Sequence, residues 1–284
     1  MNLGQNLIFP KLKVLSDKCR PKTPFIVEEK LDGESMILWR GHAYGRRTSS
    51  VTGERENKWD QLPLWITNLA REVKVHGELH VEQGTASDVK SALKEGRETN
   101  WDGELCKLLR FTAYRLHDFT YTPYVARCML EAQGWTIPEP LNHIFGPEIW
   151  PADAIDTELL YTYAIRRDIE GWVLKAEDGE WFKYKVERTC DMVVVGFKEG
   201  NGKYLGQIGA LLCKAGETEA AVGGMTDEMR ETLTEMSDAG KLNGTVIEVE
   251  YQCIASAGGL RHPRFVRIRE DKNAEECTQD QFSS

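Results

Sequence analysis

The sequence contains no Cys-x-x-Cys pair. Its seven cysteines are scattered and odd in number, which argues against both a disulfide framework and a cysteine-built zinc site. No apolar run approaches the roughly 18 residues needed to span a bilayer. The opening residues MNLGQNLIFPKLK lack the apolar core of a signal peptide. The expectation is a chain that stays where it is made, in a reducing cytoplasm, without membrane contact. A positive charge balance is missing as well: 36 Lys and Arg stand against 45 Asp and Glu, for a net charge of −9. Indiscriminate coating of nucleic acid is thereby excluded, since such binding rests on neutralising phosphates. A local basic face is not excluded, because the charge is uneven: 217–238 and 270–280 carry most of the acidic excess, and 183–188 and 260–272 are rich in Lys and Arg.

What is present is ordinary soluble composition, 41% hydrophobic and 29% charged, in 284 residues that suit one large domain and one small one. The segment PFIVEEKLDGESMILW reads as strand, tight turn, strand, with Gly33 supplying the turn. Lys30 then sits at a strand end and can serve as a nucleophile if a pocket lowers its pKa through desolvation or neighbouring cations. Lys-x-Asp-Gly alone is a weak signal, because Asp-Gly is a common solvated turn pair. More cations must converge on it.

Residues 11–24 read as an irregular lead-in, and GHAYGRRTSSVTGE as a loop presenting Arg46 and Arg47, either to solvent or as a bidentate phosphate site. Residues 59–71 have the spacing of an amphipathic helix. VKVHGELHV is a strand carrying Glu78. His76 and His80 lie four apart on it, too far to share one zinc ion easily. Ser87 is expected to cap a short helix ending at Gly96, LLRFTAYRLHDF to form a strand, Thr122-Pro123 to open a helix closed by Gly134, and 153–167 to form another. RRDIEGWVLKAEDGEWFKYKVER reads as a hairpin turning at Glu177-Asp178-Gly179. Period-2 alternation puts Trp181, Lys183 and Lys185 on one face of its second arm, with Glu170 and Lys175 at the ends of the first. That face is either a lysine-guarded edge or an anion site. After Thr189, short β-rich runs divided by glycine turns, with one helix from Thr226 to Gly240, suit a five-stranded barrel.

The order of these segments resembles the nucleotidyltransferase family of ATP-dependent DNA ligases, most closely the short ones of phages and viruses. EEKLDG is similar to the family's first motif, HGELH to its third, EGWVLK to its fourth, WFKYK to its fifth and RIREDK to its sixth; the match spans residues 25–272. The resemblance implies an α+β fold of two domains: a nucleotidyltransferase domain of antiparallel sheets and helices over 1–188 and an OB-fold β-barrel over 189–273, followed by a flexible tail at 274–284. It implies that Lys30 attacks the α-phosphate of ATP to form a lysyl-adenylate, with Asp32 and Gly33 completing the first motif at the nucleotide. Glu28 would offer backbone groups to adenine, Arg47 would hold a phosphate, and Lys175, Lys183 and Lys185 would bind AMP, the last two at its α-phosphate. Glu78 and Glu170 would bind the ribose or a divalent ion, Mg2+ with Mn2+ as a substitute. Arg269, Asp271 and Lys272 would orient the leaving pyrophosphate. The partner would be nicked duplex DNA, met by a monomer through Arg46, Lys198, Lys203, Arg261 and Arg264.

The chemistry asks for the same residue types: cations where phosphoryl charge builds, and hard carboxylates for magnesium. The sequence departs from the family pattern at three places. Ser35 stands where the first motif has arginine, so that contact is lost or supplied by another residue such as Arg46. His76 stands where the third motif has aspartate, and His117 where an aromatic is expected to stack on adenine, a role that Tyr114 or Trp172 is able to share. An NAD-dependent ligase would need a further N-terminal domain and a zinc module. An RNA ligase or capping-type enzyme is the enzymatic alternative, and a non-catalytic nucleic-acid-binding barrel the alternative of another class.

Overall fold

The two apolar runs that flank Lys30 do not pair with each other. The computed structural model describes residues 9–48, 53–68, 74–116, 121–138, 141, 149–254 and 259–282. In it, Phe25–Glu29 (β2) lies antiparallel to Gly171–Ala176 (β8), whereas Gly33–Trp39 (β3) pairs with His42–Thr48 (β4) and Val75–Val81 (β6). The expected hairpin is therefore a crossover between two sheets. The cause is burial: Phe25 through Glu28 are all buried, so β2 needs cover on both faces, which a two-stranded hairpin cannot provide. Gly33 serves close packing rather than a turn, since a Cβ there would come within 2.2 Å of the Leu79 carbonyl oxygen on β6.

The first sheet runs β1-β9-β8-β2, where Leu12–Val14 (β1) joins parallel to Trp181–Lys185 (β9). Part of the lead-in expected to be irregular is thus a strand. The second sheet runs β5-β4-β3-β6-β7, with Arg55–Asn57 as β5 and Leu109–Leu116 as β7. Arg46 and Arg47, expected on a loop, lie on β4. The β3–β4 connection turns at Arg40-Gly41, both with positive φ (43° and 83°), the primed turn that matches strand twist.

Of the helix expected over 59–71, the described residues hold a single turn at Trp59–Gln61 and a short helix, Leu64–Thr67 (α1), with Trp65 exposed; 69–71 lie outside the described residues. Ala86–Glu98 (α2) is capped by Thr85 through a reciprocal box with Asp88, not by Ser87, and it runs past Gly96, which leaves room for the Trp101 ring. Pro123–Ala132 (α3) starts on Thr122, and Thr157–Arg166 (α4) on Asp156. One core of Met36, Leu38, Leu79 and Phe111 from the five-stranded sheet is sealed by Val89 and Leu93 of α2 and Leu130 of α3. Each such side chain contributes on the order of 1.5–3 kcal/mol of burial. Trp172 is buried on the other side of β8, its indole N–H donating to the Leu160 carbonyl at 2.8 Å.

The chain divides into two compact units, Met1–Lys185 and Val186–Ser284. The second is built from Arg188–Glu199 (β10), Ile208–Ala215 (β11), Thr218–Val222 (β12), Asp227–Asp238 (α5), Val246–Tyr251 (β13) and Arg264–Ile268 (β14). Its strands form a five-stranded sheet in the order β12-β11-β10-β13-β14. The ends of that order meet at one bridge, Gly223 to Arg264, rather than along a closed barrel seam. Helix α5 is capped by the Thr226 hydroxyl and stopped at Gly240 (φ 69°). The segment expected as a loose tail is docked. Cys277 is buried in this unit's core, Phe282 meets Tyr251 edge-on, and Gln279 and Gln281 bond to β12 and β10. Apolar and amide side chains in an otherwise acidic segment hold it down.

Candidate active site

Lys30 follows β2 directly, and its backbone N–H donates to the Gly171 carbonyl at 2.9 Å, so the residue is pinned to β8 just as the chain leaves for the other sheet. Its amine points into a cavity of about 340 Å3 between the two sheets, within the usual ~300–1,000 Å3 of small-molecule sites. The first sheet contributes Glu28, Lys175, Trp181, Lys183 and Lys185, and the second Gly33, Ser35, Arg46, His76, Glu78 and Tyr114. The three second-arm residues expected on one face do share it.

The nearest charge to Lys30 is a carboxylate. Lys30 Nζ lies 2.5 Å from one oxygen of Glu170, and Lys185 Nζ lies 2.6 Å from the other. Glu170 is thus the link between the two amines, and the cations expected to crowd Lys30 reach it through that carboxylate. Lys183 makes no ion pair among the described residues and lines the cavity beside them.

Glu28 is the hub of a second trio. Its carboxylate pairs with Lys175 and, at 2.9 Å, with Arg127 of α3, which also donates to the Pro138 carbonyl at 2.7 Å. Lys175 and Glu28 are each only 3% exposed at the side chain. Burial lowers the lysine's pKa, against the pull of Glu28. The ammonium is further held over the Trp181 and Tyr114 rings at 4.6 and 5.0 Å.

Glu78 projects from β6, opposite Ser35 on β3. Burial pushes its pKa up to about 7, partly offset by Lys30 and Arg46, with Glu170 pushing further up and a hydrogen bond from Tyr114 pulling back. Tyr114 itself is pushed well above its usual value by burial and by the surrounding carboxylates.

Two of the three departures from the family pattern face each other. Ser35 Oγ and His76 Nε2 are hydrogen-bonded at 2.8 Å, a hydroxyl and an imidazole where the motifs have arginine and aspartate. His76 stacks on Trp181 (6.4 Å, 19°) and meets Tyr114 edge-on. His80 bonds instead to the Thr112 hydroxyl at 2.8 Å, so the two histidines share no ligand position. Trp172 faces away from the cavity; the aromatic walls are Trp181 and Tyr114. His117 lies outside the described residues.

Arg46 borders both this cavity and an open groove, where it is joined by Arg47, Lys58 and Lys90. Arg47 belongs to the groove alone. Asp32 lies in the crossover and has partners within the protein. In the second unit, Arg269 and Lys272 both pair with Asp191, and Asp271 with Arg269; these contacts raise the arginine's pKa and hold that of Asp271 well below the carboxylate range. Lys203 is paired with Asp227, and Arg264 with Glu250 and Glu187, while Lys198 is exposed without an ion pair among the described residues. Arg261 is half-buried, and burial lowers its pKa.

Sequence reasoning missed Arg127 and Asp191. Nothing local marks Arg127 on its helix. Asp191 is an acid in a β-rich run, on the face opposite the core residues Cys190 and Met192, and its burial is not marked by that pattern. Among the described residues, no three or more His, Cys, Asp or Glu side chains gather as a metal cluster, and no helix is long and apolar enough to cross a membrane.

Residues 199–269 match the family described as the DNA ligase OB-like domain. The chain is 26% identical to the DNA ligase of Archaeoglobus fulgidus over 300 aligned positions, covering 88% of this chain and 52% of that protein. It is 30% identical to a probable DNA ligase of Streptomyces avermitilis, covering 50% of this chain and 34% of the relative. The chain thus spans about half, or less, of the length of these curated relatives. Among solved structures, it is similar to one described as "DNA binding with a minimal scaffold: Structure-function analysis of Lig E DNA ligases". That likeness has a TM-score of 0.66 at 17% identity, covering 92% of this chain and 98% of the other.

Proposed function

We propose that this chain, a relative of the DNA ligases in its fold and in the sequence of its second unit, seals nicks in duplex DNA with ATP as the donor of AMP. The observation that carries the reading is the shared cavity: an amine pinned at a sheet crossover, with Lys183, Lys185, Glu170 and Glu78 on the surrounding walls. Lys30 gives up a proton and attacks the α-phosphorus of ATP; the N–P bond forms, the bond to the β-phosphate oxygen breaks, and pyrophosphate leaves. Glu170 at 2.5 Å is the carboxylate in reach of that proton. Lys183 and Lys185 stabilise the charge that builds on the phosphoryl oxygens, and Trp181 and Tyr114 offer aromatic faces to adenine. AMP then passes to the 5′-phosphate of the nick, freeing the Lys30 amine, and the 3′-hydroxyl attacks that phosphorus and expels AMP. Glu78 and Glu170 are hard oxygen donors and would hold Mg2+ (or Mn2+) through the triphosphate, the ion neutralising phosphate charge. Glu170 already binds two amines, so substrate oxygens and water would complete such a site. Arg269, Asp271 and Lys272 handle the leaving pyrophosphate. We assign the protein to the cytoplasm as a monomer.

The test uses ATP labelled at the α-phosphate. The chain should retain an adenylate with the lability of a phosphoramidate, stable to alkali and released by acid; Lys30→Ala should lose it entirely and still join a pre-adenylated nick. Label retained by that variant would move the nucleophile elsewhere. Sealing compared on DNA–DNA, RNA–DNA and RNA–RNA duplexes, with ATP or NAD, separates this reading from an RNA ligase.

A further inference from the structure

We infer that Arg55 is a positioning residue: it braces a bulge in β4 that turns Arg46 and Arg47 together onto one groove, and that groove takes the sugar-phosphate backbone leading to the nick, an assignment that rests on the ligase reading above. On a regular strand successive side chains leave opposite faces, so two adjacent arginines do not serve one surface. β4 is not regular here. It pairs with β5 at Tyr44 opposite Asn57 and again at Thr48 opposite Arg55, so Gly45, Arg46 and Arg47 stand against Glu56 alone. On its other edge, β4 leaves β3 after Gly45, the residue paired with Met36. The two arginines thus lie on backbone without a register partner on either side, and both line the same groove.

The carbonyls that the bulge releases are taken by Arg55. Its Nη1 donates to the Gly45 carbonyl at 2.7 Å and also to the Arg46 carbonyl, and its guanidinium lies 4.8 Å from the centre of the Phe9 ring. Three guanidiniums gathered in this way repel one another, and among the described residues neither Arg46, Arg47 nor Lys90 makes an ion pair. A bulge kept only for the fold gains nothing from that crowding, whereas a polyanion in the groove converts it into attraction. The groove, about 720 Å3, sets Arg46, Arg47, Lys58 and Lys90 against Glu34 and Glu56, and Glu34 is already paired with Lys58 at 3.0 Å. It shares Gly33, Ser35 and Arg46 with the Lys30 cavity, so a strand lying in it can place its end at the amine that carries AMP. The strand that must end there is the one bearing the 5′-phosphate, whose terminal group is also its most negative.

The experiment measures equilibrium binding of the full chain to a nicked DNA duplex with a 5′-phosphate across a range of salt, and beside it single-turnover adenylation of Lys30 from ATP. Each phosphate gripped adds about 0.9 to the slope of log affinity against log salt, so Arg47→Ala and Lys90→Ala should each lower that slope by about one. Arg55→Met removes a charge that touches backbone carbonyls, yet it should lower the slope by about two, because both arginines lose their aim. Combined with Arg47→Ala it should still lower it by about two rather than about three. Adenylation by Arg55→Met and by Lys90→Ala should stay within about threefold of the unaltered chain. An unchanged slope in Arg55→Met, or additive losses in the double variant, would overturn the positioning role. Adenylation falling in step with nick binding would hand the groove to the triphosphate and overturn the DNA assignment. If Arg55→Met folds poorly, Arg55→Lys, which keeps the charge but not the fork, carries the same expectation, and an unchanged slope there overturns the role equally. An unaltered chain that binds the nick with a steep salt slope yet forms no adenylate would sink the ligase reading while supporting the groove.

Discussion

Glu28 and Glu170 make the same set of bonds in two very different places. Each is a buried carboxylate shared between two cations, Lys175 and Arg127 in one case, Lys30 and Lys185 in the other. The cations differ in their access to water: the Lys175 side chain is 3% exposed, that of Lys30 19% and that of Lys185 36%. The first trio also borders the cavity, but its side chains are almost wholly enclosed, and it ties β2, β8 and α3 together. The second opens on the cavity, where a phosphate can replace the carboxylate as the partner of either amine. An ion pair in a protein is thus structural or chemical according to whether a third charge can reach it.

The largest effect expected from this contrast is on the sealed trio. Glu28→Ala leaves Lys175 buried without its counter-charge and should destabilise the first unit by about 3–5 kcal/mol, read as a fall in the urea midpoint. An unchanged midpoint would mean that Lys175 escapes to solvent and that the trio is not what ties these elements together. Glu170→Gln is the counterpart. Its amines can turn toward water, so the stability cost should be about 1 kcal/mol. The rate of lysyl-adenylate formation, by contrast, should fall by about a hundredfold or more. Equal stability losses in the two variants would erase the distinction.

A further expected effect is in the pH dependence, and it comes from Glu78. A carboxyl held at about 7 in the folded state and near its ordinary 4.5 when unfolded binds more protons folded than unfolded between those values. Its contribution to stability is therefore full below pH 4.5 and is lost as pH rises toward 7. Glu78→Gln should flatten that part of the stability curve, measured by urea titrations across pH 4–8. A curve identical to that of the unaltered protein would show that Glu78 stays ionised.

Which of these features the sequence announces follows from range. Period-2 alternation is a local rule, and it put Trp181, Lys183 and Lys185 on one wall of the cavity as expected. Caps are local too, and Thr122 and Thr226 begin their helices where the residue types say they should. Partner choice is not local. The strands on either side of Lys30 were legible as strands, but nothing in FIVEE or GESMILW says that one will pair with β8 and the other with β6. Glycines, serines and threonines after His42 have the look of a loop, and the pairing that makes β4 a strand comes from β3. Arg127 is 99 residues from Glu28 and carries no mark of that meeting. The docking of 277–282 depends likewise on a groove formed by distant strands.

The crossover at 30–32 has one more consequence. Lys30 keeps step with β8 through its own amide, as do Glu170 and Lys185 nearby, whereas Glu78, Arg46 and Ser35 ride on the other sheet. The two walls are laddered independently and meet through contacts such as the Lys175 amine on the Tyr114 carbonyl and the His76–Trp181 stack, so a nucleotide touching both would add a further cross-brace. Occupancy of the cavity and stiffness of the first unit are then two readings of one quantity.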